Sequence, residues 1–588
     1  MASTSRAAAP RKRRVSTDSD ESASEFCDGG SSGDSGDDFD SSDFSTDGES
    51  ASSSPGTSTG IRRVSTSFGQ DHLSAAAQRV EFCARRRPGV DLGTALRSAA
   101  RRFARAVDFF ALFFTAEIIT EICSMTNKYA WMHILEKQSY SERDGSWKEV
   151  TPDEMKKFIG LLIYMGIVQV PRLHCYWNTR KLFSGLLPPS VMPRNRFKAL
   201  LAFLSVSDPE KTTVASHGKL HRVAPLLKHI NASSAQFFQP DRSLSVDERM
   251  VKSKGRSGIR QYMRDKVIKW GYKLWVLADS KSGYTVQFSV YTGKREAPSA
   301  RGLAFDVVTR LAEDYLDQGY IIYLDNFYTS TSLFVHLLER KTLACGTTRK
   351  DRRGFPAELK DTQWEKKAKR GDVRWLRDQD VLYLQWKDKR VVHMMSTAHT
   401  ANKFVLAKRR RKVDNKWEEV SVKKPMLIDK YNVGMLGVDK SDQLIGTYNV
   451  LMKCVRWWKT LFFHSIDIAV VNSFILFDEH RRQHPEVPEL SRGSRFDQFA
   501  FRLELVEQLI GLDQQQHPEP KAPPAVPATC APKDQKHKPQ KLQRYRNCKL
   551  CYQERKVEQK TNVFCETCSA NLCFTTSRNC FVRWHDSH

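Results

Sequence analysis

No stretch of this 588-residue chain offers the ~18 uninterrupted apolar residues that would span a bilayer. Phe158–Val170 comes nearest and is too short, so no membrane partner is expected. The first residues are rich in Ala, Ser and Arg and lack the apolar core of a signal peptide. Residues 18–49 contain no Lys or Arg, against twelve Asp and Glu. Large apolar side chains are scarce from 1 to 75, too few to offset chain entropy, which predicts a disordered tail there. Cysteine is sparse except near the end, where six of 13 fall between Cys548 and Cys580. In a large non-secreted protein that clustering argues against a disulfide scaffold and for metal ligation. The other seven read as small buried or incidental residues.

What is abundant is positive charge. Removing the twelve charges of the acidic segment from the net +27 leaves +39 on the remainder. Such an excess calls for a polyanion, DNA or RNA, bound in a salt-sensitive way. A hydrophobic fraction of 40% with 12 Trp and 32 Phe supports sizeable cores, and the length suits three or four domains. The basic cluster at 10–14 (PRKRR) reads either as a nuclear-localisation signal, placing the protein in the nucleus, or as a generic basic patch. The acidic serine tract at 16–21 would suit an acid-directed kinase, and phosphate there would compete with DNA for basic surface.

Three aspartates sit in settings that could bring them together. Asp247 lies in an alternating run, LSVDERMV, that predicts a strand. Asp325 ends the apolar run GYIIYLD, as at the tip of a buried strand. Asp439 opens VDKSDQL, a helix start that puts Asp442 on the same face. Taken as residues alone, most aspartates are solvated or cap something. Converging, they could hold a pair of divalent cations for phosphoryl transfer, Mg²⁺ (or Mn²⁺) being suited to carboxylates and phosphates.

Along the chain, Thr151-Pro-Asp-Glu154 is a capping box that starts a helix running to about Gly166. Helices are also expected at 194–204, 225–237, 303–316, 329–340 and 456–482. Strands are expected at 244–251, 271–278, 284–291, 320–325 and 342–346, then three more within 373–397. The basic run at 408–412 reads as a DNA contact or a solvated loop, and 518–539 as an extended Pro- and Lys-rich linker. Arg456, Trp457, Trp458 and Lys459 set two indoles among cations. Trp457 is the expected stacking contact for an unstacked base, and Trp458 reads as core.

The tail from 544 carries Cys548-x2-Cys551 and Cys565-x2-Cys568, then Cys573, Cys580, His585 and His588. Eight ligands of zinc-preferred type suit two closed tetrahedral Zn²⁺ sites. So short a segment has too little core to bury six free cysteines.

Residues 244–293, 319–334 (GYIIYLDNFYTSTSLF), 343–350 (LACGTTRK) and 432–450 (NVGMLGVDKSDQLIGTYNV) resemble, in order, the core motifs of the piggyBac transposase family. The chain departs from that family at Ser253, Val267 and Leu436, none of them an acid. The resemblance implies a multidomain α+β/α/β protein with a ribonuclease-H-like (DDE/DDD) catalytic core. Its parts would be a disordered then Arg-rich tail (1–106), a split α-helical dimerisation/DNA-binding domain (107–242 and 449–515) and the core (243–350 and 426–448). A β-rich insertion (351–425), a linker (516–543) and a cysteine-rich zinc domain (544–588) would complete it. It further implies cut-and-paste DNA transposition through hairpin ends into TTAA targets. Asp247, Asp325 and Asp439 would be catalytic, Asp442 accessory, and Lys254, Arg256, Arg456 and Trp457 DNA-contacting. The partners implied are double-stranded DNA, as transposon terminal inverted repeats and target, and a second copy in a homodimer. By the same resemblance, Cys548 and Cys551 would share a metal with ligands from the tail in a cross-brace. Two other readings stay open: a domesticated relative that binds DNA or chromatin without cutting, and a nuclease without strand transfer.

Overall fold

The computed structural model describes residues 70–93, 103–136, 147–264, 266–293, 299–413, 416–454, 456–513, 537–575 and 577–586. The basic cluster at 10–14, the acidic serine tract, most of the expected tail, residues 514–536 and His588 lie outside them. Two compact units divide the chain, Met1–Ile510 and Gly511–His588.

In the larger unit, helix α1 spans Ala116–Glu136 and α2 Pro152–Ile167. The Thr151 hydroxyl caps α2, accepting the Glu154 N–H at 3.3 Å, with proline at the first helical position. Helix α3 is Ala224–Phe237.

A nine-stranded sheet follows. Strands β1 (Ser243–Lys252), β2 (Trp270–Asp279) and β3 (Thr285–Val290) form an antiparallel meander. Strand β4 (Ile321–Leu324) then pairs parallel with β1, and β5 (Leu343–Thr347) parallel with β4. Helices α4 (Leu303–Ala312) and α5 (Thr331–Glu339) are the crossovers that parallel neighbours require. The order across this half is β3-β2-β1-β4-β5.

The strands expected within 373–397 form as β6 (Val373–Asp378), β7 (Val381–Lys387) and β8 (Val391–Ser396). They do not make a sheet of their own. β8 pairs antiparallel with β5, Met395 against Gly346, and so extends the central sheet. Leu382, Leu384, Trp386 and Met394 pack in one cluster with Tyr323 and Cys345, giving the two regions a common core. The basic run at 408–412 is not a loop. It lies on β9 (Phe404–Val413), paired along its length with β10 (Lys416–Pro425). Opposite charges stabilise that ribbon: Lys408 meets Glu419 at 2.9 Å, and Arg409 meets Asp388 at 3.4 Å.

Residues 70–93 correct the expectation of a tail running to 106. Asp71 is buried, pairs with Arg377 at 2.7 Å and accepts the Ala401 N–H at 2.8 Å. Arg86 bonds Asp91 and the carbonyl of Ala235, at 3.0 and 2.6 Å, and Gly89–Val90 pairs with Phe238–Gln239. Apolar contacts add to these, Ala77 and Val80 packing with Leu338 and Leu343, but they are too few and scattered along the strap to make a periodic pattern.

Helices α6 (Met426–Gly434), α7 (Leu436–Thr447), α8 (Trp457–Gln483) and α9 (Gln498–Ile510) close the larger unit. By length and composition α8 could cross a membrane, but 89% of its apolar window is buried in the protein. Each large apolar side chain buried there contributes roughly 1.5–3 kcal/mol. Its Asn472 amide accepts the Thr285 N–H at 3.0 Å and donates to the Thr285 carbonyl at 2.9 Å. One side chain thus serves both backbone groups of a residue in β3 and ties the helices to the sheet.

Candidate functional site

The register of the two parallel strands builds the acidic centre. Val246 of β1 stands opposite Leu324 of β4. The next residues, Asp247 within β1 and Asp325 just past the end of β4, therefore stand side by side at the C-terminal end of β4, where open α/β sheets bind ligands. Asp325 is fixed by the turn after it, its carboxylate accepting the N–H groups of Phe327 at 2.9 Å and Tyr328 at 3.4 Å. Glu248 joins the two aspartates, one carboxylate oxygen from each lying within 4.8 Å of the others. Strict alternation along a strand sends neighbours to opposite faces, so sequence reasoning passed over Glu248. The signal was its position beside Asp247. Asp247 Oδ1 accepts the Glu248 N–H at 2.7 Å, which turns that carboxylate along the strand.

Three carboxylates this close oppose one another. Burial, then repulsion by neighbouring acids, pushes Asp247 up to about 7 against the pull of Lys266. Burial and Glu248 raise Asp325. The Tyr328 hydroxyl is buried beside them and makes no hydrogen bond of ordinary geometry. Burial first, then Glu248, Asp247 and Asp325, push its ionisation well up. A divalent cation would relieve the repulsion, so the residues present fit one.

Helix α7 runs against β1 and β2. The approach needs Gly437, where a Cβ would come within 2.4 Å of Ser245 Oγ. Leu436, the departure beside it, is 42% exposed and free of that constraint. Asp439 lies in the first turn of α7, exposed and outside the group formed by Asp247, Glu248 and Asp325. Asp442, one turn on, pairs with Arg249 of β1 at 2.5 Å, and Arg249 also donates to Ser441 Oγ at 2.7 Å.

Around this centre Lys254 and Arg256 are exposed. Trp457 is half-buried at the start of α8, its ring 6.3 Å from that of His221. Arg456 is engaged with Tyr129, donating to its hydroxyl at 2.6 Å. Trp458 is 4% exposed, a core residue as expected.

Among the described residues of the smaller unit, the clustered thiols and imidazoles fall into two groups of four. Cys548, Cys551, Cys573 and Cys580 form one, and His537, Cys565, Cys568 and His585 the other. In each, the ligand atoms lie within 4.8 Å of one another. His588 of the expected set lies outside the described residues, while His537, which is not in that set, comes from the expected linker. That stretch continues into a strand, Pro539–Asn547, paired with Lys560–Cys565. The strand is exposed except at Leu542 and mostly polar, held by backbone pairing, and so carries little hydrophobic signal. Cys568 Sγ is 3.3 Å from His537 Nδ1 and 3.3 Å from His585 Nε2. His585 Nδ1 meets the Phe581 carbonyl at 2.7 Å, which leaves Nε2 for a metal. Burial, hydrogen bonding to Cys551 and repulsion by Cys548 push the Cys580 thiol up to about 12. Four buried thiols can ionise together only around a cation, which these residues fit.

The family model described as Transposase IS4 matches residues 105–474. Human PiggyBac transposable element-derived protein 3 is 27% identical over 392 residues, 66% of this chain and 63% of that protein. Human PiggyBac transposable element-derived protein 2 is 26% identical over 377 residues, 63% of this chain and 61% of that protein. The matches to these relatives thus span a little under two thirds of their length. A piggyBac transposase solved by cryo-EM in a synaptic complex with hairpin DNA is similar with a TM-score of 0.62 at 22% identity. The likeness covers 84% of this chain and 100% of that one. Its fold, a mixed α/β sheet among helices, is the fold found here. On the family match and these relatives, the chain belongs to the Transposase IS4 family, in its piggyBac group.

Proposed function

We propose that this chain is a DNA transposase that cuts and pastes its element by metal-dependent phosphodiester hydrolysis and strand transfer. The observation that carries this reading is the side-by-side placement of Asp247 and Asp325, with Glu248, in a chain of a transposase family. The order β3-β2-β1-β4-β5, three antiparallel strands then two parallel, supports a ribonuclease-H-like core. A bound Mg²⁺ or Mn²⁺ would supply Lewis acidity toward the phosphate and a nucleophilic oxygen. The chain's own part is to aim that chemistry. Asp247 and Asp325 would hold the cation between β1 and β4, and Asp439 would add a third carboxylate from α7. Asp442 and Ser441 hold Arg249 against α7. Hydrolysis exposes a 3′-OH, which attacks the opposite strand to give a hairpin. The hairpin is reopened and the ends join a TTAA target, every step an in-line displacement that one site serves. The hairpin DNA in the similar solved complex supports this route.

Two structural Zn²⁺ in the C-terminal unit would hold a compact fold. Its Lys541, Arg544, Arg546, Lys549, Arg555 and Lys556 would read the terminal repeats. The protein would act as a homodimer, in the nucleus. A second reading, DNA or chromatin binding without cleavage, is favoured by one observation: Asp439 stands apart from the other acids. A plasmid excision reporter bearing the element's own ends decides between them. Excision that Asp325→Asn abolishes supports the transposase, and no excision by the native chain leaves the binding protein.

A further inference from the structure

We propose that Lys266 occupies the acidic centre as a place-holding cation and, when a divalent metal binds, turns to the phosphate being cut. The inference rests on the metal-dependent reading above and names a positioning residue for it. Lys266 Nζ lies 3.9 Å from Asp247 Oδ1 and donates to the Glu248 carbonyl at 3.2 Å. The first distance is longer than a hydrogen bond, so Asp247 holds the ammonium by charge alone, and its hydrogen bond goes to a backbone carbonyl rather than to a carboxylate. Lys273, the other cation at the site, is held differently. It is buried against the Glu248 carboxylate at 2.8 Å and stays in place.

Lys266 belongs to a projecting loop between a short strand, Gln261–Tyr262, and β2. The loop is closed at its base by Met263 N–H donating to the Lys269 carbonyl at 2.8 Å. Beyond that closure Val267 is 103% exposed, so the tip can shift without unpacking a core. Tyr262 and Trp270, 52% and 48% exposed, face each other across the base with ring centroids 4.9 Å apart. Arg260 lies 4.5 Å over the Trp270 ring. This is a cationic, aromatic edge suited to a nucleic-acid backbone and its bases.

Without metal, the three carboxylates need a counter-charge, and Lys266 supplies part of it. With metal, an ammonium this close to a carboxylate that would hold a divalent ion is repelled by that ion, by several times the thermal energy in a partly screened site. The phosphodiester drawn to the same centre is then the nearest anion for Lys266 to meet. Lys266 should therefore weaken metal binding in the free protein while speeding cleavage in the complex. A residue with a merely structural role would not produce that opposed pair.

The test uses the full chain and Mn²⁺ as the probe. Unbound Mn²⁺ is counted by electron paramagnetic resonance without DNA, and end cleavage is timed at saturating Mn²⁺. Lys266→Met should bind Mn²⁺ roughly tenfold more tightly, by loss of the opposing charge, and cleave at least about tenfold more slowly. Lys266→Arg should recover most of the cleavage rate. Should the methionine disturb the loop, seen as a lower melting temperature, Lys266→Gln provides the same two measurements. Mn²⁺ affinity no tighter than native, or cleavage at the native rate, overturns the proposal. Asp325→Asn, measured alongside, tests the metal site itself. If it leaves Mn²⁺ binding intact, the metal lies elsewhere and both readings fall.

Discussion

Val246 and Leu324 are register partners in neighbouring parallel strands, so Asp247 and Asp325, the residues after them, meet at one point of the sheet edge. The consequence is direct. Asp247→Ala and Asp325→Ala should each abolish end cleavage and Mn²⁺ binding while DNA affinity, carried by Lys and Arg, stays near native. Glu248→Gln should weaken Mn²⁺ binding more mildly, because Lys273 still holds the side chain. Gel-shift and cleavage assays on the same preparations check this, and native cleavage by either aspartate variant would remove the site.

Zinc content distinguishes His537 from His588. Plasma emission analysis of the full chain should give two Zn per chain. His537→Ala should lower that number and His588→Ala should not. The reverse result would restore the ligand set expected from spacing, and one zinc in the native chain would refute the two-site arrangement.

Adjacent tryptophans should behave differently. Trp458 is buried, so Trp458→Ala should cost about 3–5 kcal/mol of stability. Trp457 is half-exposed at the start of α8, so Trp457→Ala should spare the melting temperature and impair hairpin formation more than first nicking. An equal loss of stability in both variants would make Trp457 a core residue as well.

Lys459 gives stability a pH dependence. It is buried, its ammonium donates to the carbonyls of Leu201 and Ala202, and burial pushes it down from 10.5 to about 7. Below pH 7 folded and unfolded chains both carry the proton, and the buried charge costs its full amount. Above pH 7 the folded state has released it while the unfolded state keeps its own. Stability from this group therefore rises from about pH 7 toward 10, by at most ~1.4 kcal/mol per pH unit. Lys459→Met lacks that slope, so its stability relative to native should be greatest at pH 6 and fall toward pH 10. A difference that does not change with pH would contradict the buried charge.

Much of the central sheet was legible because its strands bury one or both faces. The alternation around Asp247 and the apolar run before Asp325 place both strands within a residue or two. Helix α2 was legible from its cap, and α8 from its long apolar run. The rest was hidden because it is held largely by polar or backbone bonds. The strap through Asp71 and Arg86 rests on ion pairs and carbonyls with a few scattered apolar contacts at Ala77 and Val80, and Pro539–Asn547 on strand pairing. His537 joins its group because that pairing brings it back to Cys565 and Cys568, which spacing along the chain does not reveal. Glu248 was hidden by the same alternation that revealed Asp247.

The most direct test of metal-dependent DNA cleavage is strand scission by the purified chain on a duplex carrying one end of its element. With Mg²⁺, the native protein should nick at the end and then form a hairpin, while EDTA or Asp325→Asn should stop both steps without releasing the DNA. Tight binding to that end with no scission in Mg²⁺ or Mn²⁺ would contradict it and leave a transposase-derived DNA-binding protein.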